Sequence, residues 1–214
     1  MYFYTMLIDF PTIHKYLSNK NINCKGALHI GAHNCEELGF YEKIGLKNED
    51  ILWIEAIPSK VEEAKNRQIP NVYNAVITDK DDKEVTFHIS NNGQSSSVLE
   101  FGTHSREHPS IRYIDHIQLK SITIDTFFER NKIDASKYNF WNFDIQGAEL
   151  MALKGSEKSI QYAEAIYLEV NKRELYKNCG LITEIDKFLH AYQFKRVVTK
   201  MTDHGWGDAL YIKY

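Results

Sequence analysis

The hydrophobic positions of this chain change spacing at short intervals, and the changes mark out its elements. Residues 26–30 form an apolar run that stops at Gly31, and residues 34–44 then carry Leu38, Tyr41 and Ile44 on one helical face. A second apolar run, 50–55, ends at Glu55. Pro58 opens a helix running to Arg67, because proline fits a first helical turn. Residues 71–78 predict a third strand. Strand and helix alternate through this part, which predicts a parallel sheet with helices on its faces. Ahead of it, residues 9–19 read as a helix with Asp9 as N-cap and Pro11 in the first turn.

The middle of the chain is less regular. Residues 84–89 alternate like a strand, whereas 91–109 are polar and carry Ser95, Ser96, Ser97, His104 and His108. A long loop of this kind in a compact domain is usually functional or mobile. A strand over 118–122 and a helix over 123–131 follow. Regular alternation then returns. A strand over 139–143 ends at Asp144, a helix over 148–154 closes at Gly155, and a strand over 163–168 ends at Glu169. Residues 181–191 form an amphipathic helix, and 193–198 with 209–214 predict a closing antiparallel pair. There is no internal repeat. The pattern is that of an α/β protein with an N-terminal helical extension, 1–25, and a single domain over 26–214.

Composition narrows the partners. A chain of 214 residues suits one such domain. A net charge of -3 argues against a broad nucleic-acid footprint. The three cysteines, Cys24, Cys35 and Cys179, show no C-x-x-C spacing, so neither a disulfide framework nor a zinc site is expected. Cys35 lies in the glycine turn, as a reactive thiol or as a small packing residue. No stretch approaches the ~20 apolar residues that span a membrane. Residues 1–9 are apolar but lack the basic start and cleavage site of a signal peptide, so a cytoplasmic protein is expected by default.

The candidate chemistry follows from the strand ends. In an open α/β sheet ligands bind outside the carboxyl ends of the strands. Three predicted strands end in an acid: Glu55, Asp144 and Glu169. A carboxylate at one strand end can simply cap the next helix; three on one rim suggest a site. An acid at the end of the second strand can accept both hydroxyls of a ribose, in a nicotinamide dinucleotide or in S-adenosylmethionine alike. A diphosphate needs G-x-G-x-x-G, and here only Gly31 is present, with His33, Asn34 and Glu36 at the other positions. Glu36 and Glu37 would repel a diphosphate at a helix N-terminus. The ammonium of S-adenosylmethionine is compatible with those acids, so the methyl donor is favoured over the dinucleotide of an oxidoreductase.

With these residues in place the sequence resembles the FkbM-type methyltransferases, a branch of the class I Rossmann-like methyltransferase fold. The resemblance rests on Ile30-Gly-Ala-His-Asn-Cys-Glu-Glu37, Trp53-Ile-Glu-Ala-Ile-Pro58, Asn74-Ala-Val76, Phe143-Asp-Ile-Gln-Gly-Ala-Glu-Leu150, Leu168-Glu-Val-Asn171 with Glu174-Leu-Tyr176, and Gly205-Trp-Gly-Asp-Ala-Leu-Tyr211. It departs from the family at three places. His29 stands where an acid is usual, Cys35 replaces a glycine, and the frequent Asp-x-Glu-Gly reads Asp144-Ile-Gln-Gly147. His29 is expected to be a buried, hydrogen-bonded strand residue. The resemblance implies a mostly parallel seven-stranded sheet with an antiparallel closing strand and helices on both faces. It also implies that Gly31, Ala32 and His33 line the methionine and ribose side of S-adenosylmethionine, with Glu36 and Tyr41 reaching the same end. Glu55 would hold the ribose diol with Ala56 beside it, Ala75 and Val76 would flank the adenine, and Asp144 and Gln146 would sit where the sulfonium meets the acceptor.

Methyl transfer from a sulfonium is an in-line displacement, and a hydroxyl acceptor also needs a proton sink. Two routes are open. Asp144 or a loop histidine (His104, His108 or His116) acts as base, or magnesium or manganese held by Asp144, Glu169 and Asn171 lowers the hydroxyl pKa. Alternatively Glu169 and Asn171 bind substrate hydroxyls directly or cap the loop before Tyr176. Trp206 with Asp208 resembles a sugar platform, where a ring stacks and an acid takes hydroxyls, or Trp206 is strand packing. These five residues, Glu169, Asn171, Tyr176, Trp206 and Asp208, are the candidate acceptor contacts. The expected activity is O-methylation of a sugar or glycan. The alternatives are a polyketide-like small molecule as acceptor, a nicotinamide-dependent oxidoreductase, or a binding module that kept the fold.

Overall fold

The computed structural model describes residues 6–214; residues 1–5, the start of the expected N-terminal extension and of the stretch weighed as a signal peptide, lie outside the described residues. Helix α1 (Phe10–Asn19) begins as its sequence predicts, with the Asp9 carboxylate accepting from the Thr12 N–H and a proline in the first turn. Strands β1 (Ala27–Ile30), β2 (Ile51–Glu55) and β3 (Val72–Asn74) then alternate with α2 (Leu38–Lys43) and α3 (Pro58–Asn66). After a smaller excursion, β7 (Phe140–Phe143), α6 (Glu149–Lys154), β8 (Ala165–Asn171), α7 (Ile182–Ala191), β9 (Phe194–Met201) and β10 (Trp206–Lys213) complete the main sheet. Its order is β3-β2-β1-β7-β8-β10-β9. Only β10 runs against its neighbours, pairing antiparallel with both β8 and β9.

Period-2 alternation divides the sheet side chains between two apolar cores. Leu28, Ile30, Leu52 and Phe143 face α6 and α7, while Trp53, Phe140 and Tyr167 face α1, α2 and α3. Helices therefore cover both faces, as the alternating pattern requires. The predicted third strand divides at Ala75: Val72–Asn74 stays in the main sheet, and β4 (Val76–Ile77) turns into a second sheet of order β4-β6-β5. That sheet is built from β5 (Glu84–Ser90) and β6 (Tyr113–Ile122), between which the polar loop holds the short helix α4 (His104–Glu107). Strand β6 leads into α5 (Ile124–Arg130). Among the described residues no helix is long and apolar enough to cross a membrane.

Two local departures matter for the site. The helix expected from residue 34 begins only at Leu38, because His33 and Cys35 take left-handed backbone conformations, φ 41° and 56°. The strand expected to end at Leu168 continues to Asn171, so Glu169 lies within β8 rather than beyond it.

Candidate active site

The order of the main sheet reverses between β1 and β7, and their carboxyl ends define the crevice where such sheets bind ligands. A cavity of about 390 Å³ opens there. Gly31 and Asp144 form its floor. The Gly31 backbone has φ 94°, and a Cβ at this position would stand 1.9 Å from the Asp144 carbonyl oxygen, so no side chain fits. Its N–H and that of Ala32 both donate to the Ile54 carbonyl, at 2.9 and 3.1 Å, which ties the turn to β2. Glu55 ends β2 with only 6% exposure, and its two oxygens accept the Ile57 and His33 backbone N–H groups at 2.8 and 2.7 Å. Burial pushes this carboxyl up, and the backbone donors hold it back. Ala56, Ala75, Val76, Ile57 and Ile77 form an apolar slot beside it. The arrangement fits an adenosine: a shaped apolar slot next to a fixed carboxylate with spare lone pairs.

The other half of the cavity is polar. Gln146, itself left-handed at φ 54°, spreads its carboxamide between two strand ends. Its Nε2 donates to Asp144 Oδ1 at 2.6 Å and to Glu169 Oε2 at 3.0 Å, while its Oε1 accepts from the Tyr176 hydroxyl at 2.7 Å. The tyrosine thereby fixes which way the amide points. Asp208 on β10 accepts the Tyr167 hydroxyl and the Leu7 N–H. Burial, with repulsion from Asp144, raises the Asp208 carboxyl to about 7. Burial and then repulsion from Glu149 and Asp144 raise Glu169 well above the usual carboxylate range. Asp144 is raised by burial, against the Gln146 hydrogen bond that lowers it.

Most of the residues singled out from the sequence meet in this cavity. Gly31, His33, Glu36, Glu55, Ala56, Ala75, Val76, Asp144, Gln146, Glu169, Trp206, Asp208 and His104 all line it. Four do not. Ala32 is covered beneath the turn, at 1% exposure. Tyr41 points under the sheet, where its hydroxyl meets His29 Nδ1 at 2.7 Å and Asn142 Nδ2 at 3.0 Å, so it does not reach the methionine end. Tyr176 and Asn171 are both fully covered; Tyr176 acts on the cavity through Gln146 and, more weakly, through the Ser95 carbonyl at 3.5 Å. His29 is the buried, hydrogen-bonded strand residue expected, held neutral by burial.

Two chemical roles need correction. The metal set of Asp144, Glu169 and Asn171 does not assemble. Among the described residues no group of three or more His, Cys, Asp or Glu is gathered for a cation. The Gln146 amide occupies the position between the two acids, and the Asn171 amide nitrogen, 3.5 Å from Glu169 Oε1, is turned toward that acid with a donor rather than an oxygen. Hard cations need converging oxygens. His104 lines the cavity, but burial lowers it to about 4 and its ring stacks on Phe101 at 4.2 Å, so it is a poor proton acceptor near neutrality. His108 lines the cavity, and His116 is exposed on β6, outside it.

Sequence reasoning missed Leu7, Asn142 and Tyr167, which all line the cavity. Tyr167 carried a signal, since it precedes Glu169 by two residues and so shares its face of β8. The serines of the polar loop fasten it: the Ser97 hydroxyl donates to the Gln146 carbonyl at 2.9 Å, and Ser96 to that of Gly93 at 2.6 Å.

A seven-stranded sheet of this order, with a ribose-type acid at the second strand end and a diphosphate-hostile turn at the first, defines the Rossmann-like methyltransferase class. The FkbM methyltransferase domain matches residues 29–196, and the chain belongs to that family. It is an S-adenosylmethionine-dependent methyltransferase, and the oxidoreductase alternative falls. Among curated proteins no sequence matches. Of solved structures, magnesium protoporphyrin IX methyltransferase from Synechocystis with bound S-adenosylhomocysteine is 10% identical, with a TM-score of 0.50 over 96% of this chain and 81% of that one. A methyltransferase from Aquifex aeolicus is 12% identical, TM-score 0.44, over 97% of this chain and 100% of its own. One from Bacteroides fragilis is 8% identical, TM-score 0.46, over 92% and 76%. The first of these supports the fold assignment.

Proposed function

We propose that the protein transfers the methyl group of S-adenosylmethionine to a hydroxyl of a sugar or glycan. The observation that carries this reading is the polar half of the cavity. There the Trp206 ring and the Asp208 and Glu169 carboxylates line one wall, opposite an apolar slot suited to the adenosine. Stacking on an indole with acids beside it is a common chemistry for saccharide rings. When bound, the donor supplies an electrophilic methyl on a sulfonium. Glu55 accepts the ribose hydroxyls, Ala75 and Val76 flank the base, and His33 and Glu36 close the methionine end. Asp144 is the proton sink: burial makes its carboxyl a stronger base than an exposed aspartate, and Gln146 holds it in place at 2.6 Å. No step runs through a metal.

The test is turnover with methyl-labelled S-adenosylmethionine against a panel of methyl glycosides, a polyketide-like macrolactone and a protein extract. Label in the glycosides, reduced by about 100-fold or more in Asp144→Asn, is the expected result. Label in the macrolactone or in protein but in no glycoside would overturn the acceptor class.

A further inference from the structure

The cavity gathers more carboxyl groups than the donor can pair. Among the described residues six carboxyl groups line it, those of Glu36, Glu37, Glu55, Asp144, Glu169 and Asp208, and no lysine or arginine does. The first three belong to the donor's half, where Glu36 is met by His33 at 2.8 Å and the donor brings its own sulfonium and ammonium. Among the described residues the acids of the other half form no ion pair; His33 and Lys200 act on Asp144 and Asp208 only from a distance. Asp208 stands directly across from Glu169 in the antiparallel register of β10 and β8, so the two carboxylates share one face. Like charges directly opposite one another destabilise a sheet. Both are 7% exposed, and neither forms an ion pair among the described residues. Lys200 lies opposite Asp208 on the β9 side, but it is exposed and makes no ion pair with the acid.

The hydrogen bonds leave room for a donor. Asp208 Oδ2 takes the Tyr167 hydroxyl and the Leu7 N–H, whereas Oδ1 takes no bond from a described residue. Glu169 Oε2 takes the Gln146 amide, and Oε1 has only the Asn171 amide at 3.5 Å. Trp206 lies two residues before Asp208 on β10, hence on the same face. The Trp206 ring packs on Leu175, Tyr176 and Cys179, and an indole sharing a strand face with two acids suits a cation. A second observation points to a missing polar partner: His104 lines the same cavity at 4% exposure, and among the described residues neither its Nδ1 nor the Trp206 Nε1 has a partner. An unpaired buried polar atom is costly unless a ligand completes it.

We propose that the acceptor is cationic, an amino sugar whose ammonium is held by Glu169 and Asp208 beside Trp206 while a neighbouring hydroxyl receives the methyl group. This rests on the glycan reading above and narrows it. The same wall turns away phosphorylated and uronic-acid sugars, which would meet carboxylates with no basic residue to offset them.

The protein loaded with S-adenosylhomocysteine is titrated by calorimetry with the methyl glycosides of glucosamine, N-acetylglucosamine, glucose and glucuronate. Turnover with labelled donor is measured on the same four. The glucosamine glycoside should bind about tenfold or more tighter than the glucose and N-acetylated ones, and the glucuronide should not bind. Asp208→Asn and, separately, Glu169→Gln should each bring glucosamine to within about threefold of glucose, with the native-protein comparison deciding the matter should a variant fail to fold. Equal binding of glucose and glucosamine, or binding of the glucuronide, overturns the proposal. Methylation of neutral glycosides at least as fast as the amino one leaves the glycan reading standing and removes only this inference. Selective glucosamine binding without methylation of any sugar keeps the cation site and removes the glycan as methyl acceptor. No sugar bound or methylated removes both.

Discussion

The two halves of the cavity are held by different parts of the chain. The half with Gly31 and Glu55 is fixed by backbone: two N–H groups of the turn bond the Ile54 carbonyl, and two others bond the Glu55 carboxylate. The half with Asp144, Glu169 and Asp208 is fixed by side chains, through the amide of Gln146 and the hydroxyls of Tyr176 and Tyr167. Backbone geometry depends little on which residues surround it, so a common donor suits the first half. Side-chain networks change with single substitutions, so the second half is where acceptor choice is free to vary.

The largest effect is expected at Gly31. Gly31→Ala places a methyl group where the Asp144 carbonyl oxygen stands and demands φ 94° of an L-residue, so the floor shared by both halves must open. Turnover should fall by at least about 100-fold, since shifts of about 1 Å carry penalties of that size. Calorimetry should show S-adenosylhomocysteine binding lost with it. Retained binding with lost turnover would mean that the floor serves only the acceptor. Next comes Glu55→Gln, which should weaken S-adenosylhomocysteine by roughly 10- to 100-fold, the range for losing hydrogen bonds to a charged group. The apparent KM for the acceptor should stay unchanged. If both constants move together, the halves are not separable.

The same division explains what the sequence reveals. The donor half was legible because regular strands deliver it: alternation locates β1 and β2, and Gly31 and Glu55 sit at their ends. The parallel sheet and the closing antiparallel pair follow from the alternation of elements, the seven-stranded form was implied by the family resemblance, and the reversal of order between β1 and β7 is seen only in the structure. The acceptor half was legible only as a set of acids. Nothing local announces that Leu7 lies against Asp208, a contact 201 residues apart in the chain. Tyr41 misled because a helical face shows which residues turn inward, and not whether they meet the cavity or the core beneath it. Glu169 and Asn171 suggested a metal because their types suit one. The left-handed turn at Gln146, which puts an amide between the acids, follows from tertiary packing under Tyr176 and not from spacing.

Gln146 therefore offers a substitution confined to the second half. Gln146→Leu removes the N–H groups that separate Asp144 from Glu169, leaving two buried acids in mutual repulsion. We expect kcat to drop about tenfold, the cost of roughly one such hydrogen bond, with S-adenosylhomocysteine affinity within about threefold of the native value. Gln146→Glu instead adds a third carboxylate at the same place. Electron paramagnetic resonance should then detect a bound manganese ion in the variant and none in the native protein. Equal binding by both would contradict the account of Gln146 as the residue that occupies the cation position.

The smallest expected effect is a slope of stability with pH, and it again separates the halves. Asp208 is raised to about 7 and Glu149 to about 8, in both cases mainly by burial. Both groups hold a proton more tightly in the folded protein than in the unfolded chain, where carboxyls titrate near 4. Below that value both states are protonated, and the contribution to stability is fully present. As pH rises, the unfolded chain releases protons that the fold retains, so the contribution is lost progressively as pH passes through about 7 and 8. The melting temperature of the ligand-free protein should therefore fall by several degrees between pH 6 and pH 8.5, since each pH unit over which one such group keeps its proton is worth about 1.4 kcal/mol, and about 1 kcal/mol shifts the midpoint by about 2–4 °C in a domain of this size. Asp208→Asn should flatten that slope. Glu55→Gln should flatten it less, because two backbone donors pull Glu55 back toward its ordinary value. A melting temperature that rises across the window, or a slope more sensitive to Glu55 than to Asp208, would place the uncompensated charge in the donor half and reverse the comparison.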